Sequence, residues 1–362
     1  MIIMQNEVGS QGNHLKETKR LKIGINGLGR IGRAILRINI ERNLFDVVVI
    51  NDVNHDNGNL AYMLKYDSTY GKLIISIHGT ERGIELEEKE IPVHHNSMIN
   101  EVPWHQYGVD LVIDSSGVSR NVALAHELKE KNIKCVITHS PGKDAVDKHV
   151  IMGVNEDELT SEHQVIASSI CDSTAFAPVM KVLNENYGVE NGSLTTLHPW
   201  LAYQNLVCGP SRSFSFPGTI YRKYALGRSS IGTLIPKQPS CIPATEKIIP
   251  FLEGRFMSHS FRVPTSIVSC ANFTVKLRDR TTKDEVIALF KRKAGEQKVD
   301  VFYNNFEPLV SSDYAKSPFS ANIDHEFTEV KDGNQLKMVV FYDNEWGYSS
   351  RVVDLVLYFG SL

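Results

Sequence analysis

No stretch of this chain approaches the roughly 18 consecutive apolar residues that a membrane helix needs. The opening residues also lack the continuous apolar run of a secretory leader. A protein of the aqueous cytoplasm is therefore expected, with no membrane partner and with residues 1–20 as a mobile tail. An excess of one charge is missing too. Thirty-nine basic against 42 acidic side chains leave a formal net charge of −3, and without a polybasic stretch nucleic acid is not an expected partner. Cysteine is sparse: Cys135, Cys171, Cys208, Cys241 and Cys270 are an odd number, widely spaced, with no C-x-x-C. That pattern excludes a disulfide framework and the usual zinc spacing, and it fits reduced thiols. His94 and His95 fall on a polar stretch and are read as solvated, so no metal is expected. There is no internal repeat or low-complexity block. What remains is 362 residues, 42% of them hydrophobic, enough for two domains with real cores.

The stretch V-I-A-S-S-I-C-D-S-T-A-F-A-P at 165–178 places Cys171 where a short buried strand gives way to a helix with Phe176, Ala177, Met180, Val182 and Leu183 on its apolar face. Unpaired N–H groups and the positive dipole end at a helix N-terminus favour a thiolate, the form that attacks carbonyls. A buried structural thiol is the competing reading. Downstream, L-T-T-L-H-P-W at 194–200 delivers His198 at a strand end, because Pro199 follows at once. A nucleophilic cysteine needs a base, and histidine is the usual one.

Near the N-terminus an apolar strand, 21–26, ends at Asn26 and runs into Gly27-Leu28-Gly29-Arg30-Ile31-Gly32, followed by a helical pattern. Gly27 permits the tight turn, Gly29 lets the backbone approach a pyrophosphate, and Gly32 allows close helix–strand packing. The next strand, 47–51, delivers Asp52 twenty residues past Gly32. An acid there suits the ribose 2′-OH of NAD and repels the 2′-phosphate of NADP. Further alternation follows, with a strand at 111–114, a helix at 122–131 and a strand at 134–137. This predicts an α/β, Rossmann-type doubly wound parallel sheet, with Ser115, Gly117 and Thr138 at its C-terminal strand edges.

Beyond Asn155 the pattern changes to longer strands such as 266–277, and Thr282-x-x-Glu285 has the form of a capping box. An α+β catalytic domain over 171–345 is expected beside the NAD-binding domain over 21–170. A C-terminal helix within 346–362, apolar around 350–358, is expected to close the first domain.

Several motifs in order, I-N-G-L-G-R-I-G-R at 25–33, L-K-Y-D-S at 64–68, M-G-V-N at 152–155, F-R-V-P-T at 261–265 and Y-D-N-E-W-G-Y-S at 342–349, resemble phosphorylating glyceraldehyde-3-phosphate dehydrogenase and its relative erythrose-4-phosphate dehydrogenase. The resemblance extends from about residue 21 to the C-terminus. It implies an NAD-dependent aldehyde oxidoreductase in which Cys171 forms a thiohemiacetal and then a thioester while His198 takes the hydroxyl proton. It assigns Asn26, Arg30, Ile31 and Asp52 to cofactor contacts, and Asn344 and Tyr348 to the nicotinamide pocket. It also implies a homotetramer, with the segment between His198 and Pro236 at an interface.

This chain departs from the family around the substrate. The family usually has S-C-T-T-N-C-L-A-P at the nucleophile, where this chain has Ile170-Cys171-Asp172-Ser173-Thr174-Ala175-Phe176-Ala177-Pro178. Asp172 opposes both thiolate formation and the approach of an anion. Leu201 stands where a threonine binds substrate phosphate, Tyr203 follows it, and Arg262 keeps the other half of that site. In the next loop Pro239 replaces a threonine and lacks both hydroxyl and N–H, while Lys237 and Arg212 bring compensating charge. Three altered phosphate elements predict a non-standard aldehyde or acyl acceptor. Ordinary phosphorylating glyceraldehyde-3-phosphate oxidation and a weakly catalytic NAD-binding sensor are the alternatives.

Overall fold

The computed structural model describes residues 20–213 and 215–362. The expected N-terminal tail therefore lies, apart from Arg20, outside the described residues. Two sheets organise the chain. In the first, nine strands run in the order Lys148–His149, Val165–Ala167, Lys134–Ile137, Leu111–Asp114, Lys22–Asn26, Asp46–Asn51, Lys89–His94, Gly83–Leu86 and Ile77–Gly79. The first seven are mutually parallel. Their central members are short runs of Ile, Val and Leu buried on both faces, the composition of strands covered on two sides.

The last two strands add an antiparallel meander at one edge, which the parallel reading of this half did not include. Local loops allow it, since antiparallel neighbours need no crossover helix. Strand order reverses beside Lys22–Asn26, so the glycine loop and Ser115 emerge together at the switch point.

The second sheet runs Ile235–Lys237, Phe256–Val263, Val189–Pro199, Ser269–Leu277, Gln335–Tyr342, Ala321–Lys331 and Phe302–Asn305. Val189–Pro199 and Phe256–Val263 pair in parallel, in a register that makes His198 and Arg262 direct neighbours. The helix Cys171–Tyr187 packs on this sheet, with Phe176 edge-on to Phe256 and Phe273. The strand expected from residue 266 begins instead at Ser269. Val268 just before it has φ 68°, a left-handed conformation that no strand residue adopts.

The region expected as a helix over 122–131 is an α-helix only over Ser119–Ala125 and tightens to a 3-10 helix over His126–Lys131. The helix Trp346–Gly360 leaves the second sheet directly after Gln335–Tyr342. It buries Trp346, Tyr348, Val352, Val353, Val356 and Phe359 with Ile23, Ile25 and Ile113 of the first sheet. Residues at its start are thus fixed where the two cores meet.

Candidate active site

The parallel strand Val165–Ala167 ends in Ser168 and Ser169, and the helix Cys171–Tyr187 begins two residues later. Ser169 is fully buried at φ 62°, a costly conformation for a residue with a Cβ. Tyr348 holds it there: its hydroxyl donates to the Ser169 carbonyl at 3.2 Å and lies 2.8 Å from Ser168 Oγ. The N-cap residue Ile170 offers no side-chain acceptor, so the first-turn N–H groups receive no cap from it beside the Cys171 sulfur.

His198 reaches this sulfur from the end of Val189–Pro199, with Nε2 at 3.6 Å from Cys171 Sγ. On the far side of the ring, Nδ1 lies 2.8 Å from the Pro199 carbonyl oxygen. A carbonyl can only accept, so Nδ1 carries the proton and Nε2 turns its lone pair to the sulfur. Burial, with Arg262 adding to it, lowers the His198 pKa to about 4, against the opposing pull of Asp172 and the Pro199 carbonyl. The imidazole is neutral at pH 7, as a base must be before it takes a proton.

Asp172 faces the same sulfur at 3.6 Å and the His198 Nε2 at 4.0 Å, and its Oδ1 accepts from the Tyr342 hydroxyl at 2.7 Å. Burial would raise this carboxyl, but His198, Lys237, the Tyr342 hydroxyl and Arg262 together hold it below its ordinary value. Burial, then the Asp172 charge, pushes the Cys171 thiol well above the usual range, with Arg262 opposing. The resting sulfur is a thiol.

Arg262 lies on the next strand in register with His198 and is only 4% exposed. Its Nη2 donates to Tyr203 Oη at 3.3 Å, and its Nε has no partner. Lys237, on the adjoining edge strand, donates to Ser240 Oγ at 2.9 Å, and burial followed by Arg262 lowers its pKa. Leu201 is half-buried, its backbone N–H on the Gln204 side chain. Two cations and one carboxylate around a neutral Cys–His pair leave the surroundings of the sulfur with net positive charge, suited to an anionic ligand.

The glycine loop lies across the switch point. Gly27 has φ 94°, and a Cβ there would meet Ser116 at 2.6 Å. A Cβ on Gly32 would stand 2.1 Å from the Gly27 carbonyl oxygen, whereas Gly29 has open space where its Cβ would be. Ser115 Oγ donates to the Gly27 carbonyl at 2.6 Å, and Thr138 Oγ1 to the Asp114 carbonyl at 3.0 Å. Gly117, at φ 70°, turns the chain between them. Asn26 joins Asp114 and Asn51 in a buried hydrogen-bonded chain. Asp52 accepts from the Leu28 N–H at 2.7 Å and so ties the loop to the second strand.

Arg30 is held by Asp67 and Glu345, and Ile31 packs into the first core. Asn344 is 5% exposed with an unpartnered Oδ1. The bare space over Gly29 and this orphaned acceptor fit a dinucleotide with its pyrophosphate on the loop and its carboxamide at Asn344. His94 and His95 are half-buried, and contrary to the solvated reading they lie 2.9 Å from Tyr107 Oη and from the Asp52 carbonyl oxygen respectively.

Tyr342, Asp67 and Glu345 were not singled out from the sequence as site residues. Tyr342 and Glu345 lie inside the Y-D-N-E-W motif and Asp67 inside L-K-Y-D-S, and those motifs are the signal that marks them.

Such a fold and cleft define a dinucleotide-binding oxidoreductase with a Cys–His pair in contact. The family model of the glyceraldehyde 3-phosphate dehydrogenase NAD binding domain matches residues 21–122, and that of the C-terminal domain matches 169–344. The cytosolic glyceraldehyde-3-phosphate dehydrogenase of Gracilaria gracilis is 36% identical over 341 residues, 94% of this chain and 98% of that protein. The Streptomyces coelicolor enzyme is 36% identical over 345 residues, 94% and 99% of the two chains. Glyceraldehyde-3-phosphate dehydrogenase 3 of Saccharomyces cerevisiae is 34% identical over 336 residues, 93% and 98%. The chain belongs to the glyceraldehyde-3-phosphate dehydrogenase family and is an NAD-dependent oxidoreductase.

Proposed function

We propose that the protein oxidises a small anionic aldehyde with NAD through a thioester on Cys171, and that the acyl group leaves to an acceptor other than inorganic phosphate. The observation that carries this reading is the 3.6 Å contact of Cys171 Sγ with the lone-pair face of His198, beside the cations Arg262 and Lys237. NAD, when bound, supplies the hydride acceptor. Cys171 forms the bond to the aldehyde carbon, passing its thiol proton to His198 Nε2. The first-turn N–H groups and the imidazolium steady the resulting oxyanion. Arg262 and Tyr203 grip the substrate anion, Tyr348 fixes the backbone leading to the sulfur, and Asn344 would hold the carboxamide of the dinucleotide.

The acceptor is inferred from charge and lost donors. Asp172 stands beside the thioester position and repels a phosphate dianion. Asp172, Leu201 and Pro239 supply no side-chain hydroxyl. Losing a charge-assisted hydrogen bond to a buried anion costs roughly 1.5–3 kcal/mol, so three losses exceed a thousandfold in affinity unless compensated. Ordinary phosphorylating oxidation of glyceraldehyde 3-phosphate is the second reading, favoured by Arg262 and Lys237, which retain positive charge in the cleft. Asp172, by keeping the sulfur protonated, favours a third, an NAD-binding sensor of weak activity. NADH formation over phosphorylated and free aldehydes, with and without phosphate or arsenate, separates them. Turnover of an anionic aldehyde without phosphate is expected. Strict phosphate dependence would overturn the acceptor assignment, and NAD binding without turnover would favour the sensor.

We place the protein in the cytoplasm as a homo-oligomer of four. Leu206, Val207, Phe216, Ile220, Tyr224, Ile231 and Leu234 expose large apolar side chains on one segment between the Cys–His site and the edge strand, a density that calls for a covering partner. Five free thiols suit a reducing compartment. Light scattering giving a monomer mass at micromolar concentration would refute the tetramer.

A further inference from the structure

Asp172 makes the Cys–His pair a three-donor cluster. Cys171 Sγ, Asp172 Oδ1 and His198 Nε2 are separated by 3.6, 3.6 and 4.0 Å, and all three lie within 4.8 Å of one another. A tetrahedral zinc ion with ordinary bond lengths needs edges of ~3.6 Å for S···N and S···O and ~3.4 Å for N···O. Two edges already match, and a small swing of the carboxylate closes the third.

Their outer partners are those that metal ligands have. The proton on His198 Nδ1 is held by the Pro199 carbonyl, which points the Nε2 lone pair into the cluster. The carboxylate is anchored by the Tyr342 hydroxyl at 2.7 Å. Such contacts orient a ligating imidazole and a ligating carboxylate. Zinc spacing is absent from the sequence because two ligands are consecutive and the third arrives from another strand.

We propose that Cys171, Asp172 and His198 form a site for a zinc(II) ion that occupies nucleophile and base together and switches the dehydrogenase off. Binding replaces the thiol proton with the metal and releases that proton to solvent, so thiolate and carboxylate together neutralise the ion. The fourth position stays with water. Arg262 and Lys237 face the same donors, as their charges act on both Asp172 and His198. They weaken binding and make the block reversible. The inhibitory consequence rests on the proposed roles of Cys171 and His198, whereas the metal site does not.

The test uses the full chain, freed of metal by chelator and titrated with cobalt(II). One equivalent is expected to give a thiolate-to-cobalt charge-transfer band in the near ultraviolet, displaced by zinc, with about one proton released. His198→Ala removes the imidazole donor without changing the charge beside the sulfur and is expected to weaken binding at least tenfold. Lys237→Met should tighten it several-fold, and Cys171→Ser should abolish the band. An unchanged band in Cys171→Ser, or wild-type affinity in His198→Ala, would overturn the site. Zinc should also stop NADH formation and chelator restore it. Full turnover with zinc bound would overturn the switch. Cobalt binding in a protein that turns over no aldehyde would overturn the catalytic reading and leave the metal site standing.

Discussion

Replacing Asp172 with Asn should make Cys171 more reactive, which is the reverse of what removing a residue from an active site usually does. The carboxylate sits 3.6 Å from the sulfur, and two charges at that distance with an effective dielectric near 20 interact by about 4 kcal/mol, roughly a thousandfold in thiolate population. A less basic thiolate is also a weaker nucleophile. With a Brønsted coefficient of about 0.4–0.5, roughly thirtyfold of that gain survives as rate. Lys237 and Arg262 already offset part of the carboxylate field, so the expected increase is at least tenfold.

The assay is alkylation of Cys171 by iodoacetamide near neutral pH, read by mass spectrometry so that exposed Cys208 is scored separately. Asn accepts from Tyr342 as Asp does, so the helix start keeps its anchor. A variant rate within twofold of wild type from pH 6 to 9 would show that burial alone holds the thiol, and the charge argument would fail.

Gly29→Ala should leave the thermal midpoint nearly unchanged, because nothing lies within 4 Å of the new methyl group, and should weaken NAD binding at least tenfold in calorimetry. Gly32→Ala, whose methyl group would stand 2.1 Å from a backbone oxygen, should instead lower stability by about 1–3 kcal/mol, and the reverse ranking would refute the loop assignment. Arg262→Met should reduce kcat/KM for the anionic aldehyde by about ten- to a hundredfold while NAD affinity holds. An equal loss with a neutral aldehyde would remove the anion-binding role.

His198 and His325 are both buried and titrate at about 4, against 6.5 when unfolded. The unfolded chain therefore binds more protons between those values. Stability should be complete above pH ~6.5 and fall as pH drops to ~4, by about 3 kcal/mol for each ring. Urea midpoints that stay flat across that window would contradict the burial of neutral imidazoles.

Local chemistry was legible in the sequence, and long-range register was not. The strand-to-helix junction at Cys171 follows from a short apolar run ending just before a helical apolar face, and the helix begins at that residue. The capping box at Thr282 needs only its own four residues, and Glu285 closes it. The hydrogen bond from Tyr342 to Asp172 joins positions 170 apart, and only the order of seven strands determines that they meet. The same holds for Arg262, which stands beside His198 because two strands pair in one of many possible registers. Arg30 is marked in the sequence by its place in the glycine loop. That its guanidinium closes on Asp67 and Glu345 depends on the C-terminal helix crossing to the first core.

The balance of charge at the sulfur connects these pieces. A neutral threonine beside Cys171 would leave burial alone to oppose Arg262 in favouring the thiolate. Asp172 reverses that bias, and Lys237, brought in on the edge strand, returns the cleft to net positive charge without restoring a hydroxyl cradle. On the proposed reading, the anion that binds productively is therefore one carried by the substrate and directed at Arg262 Nε, the orphaned donor, not a free dianion approaching the sulfur. Asp172→Thr combined with Lys237→Ser tests this. The double variant should gain phosphate-dependent turnover while losing phosphate-independent turnover. A double variant whose rates with and without phosphate match wild type would show that these two charges do not choose the acceptor.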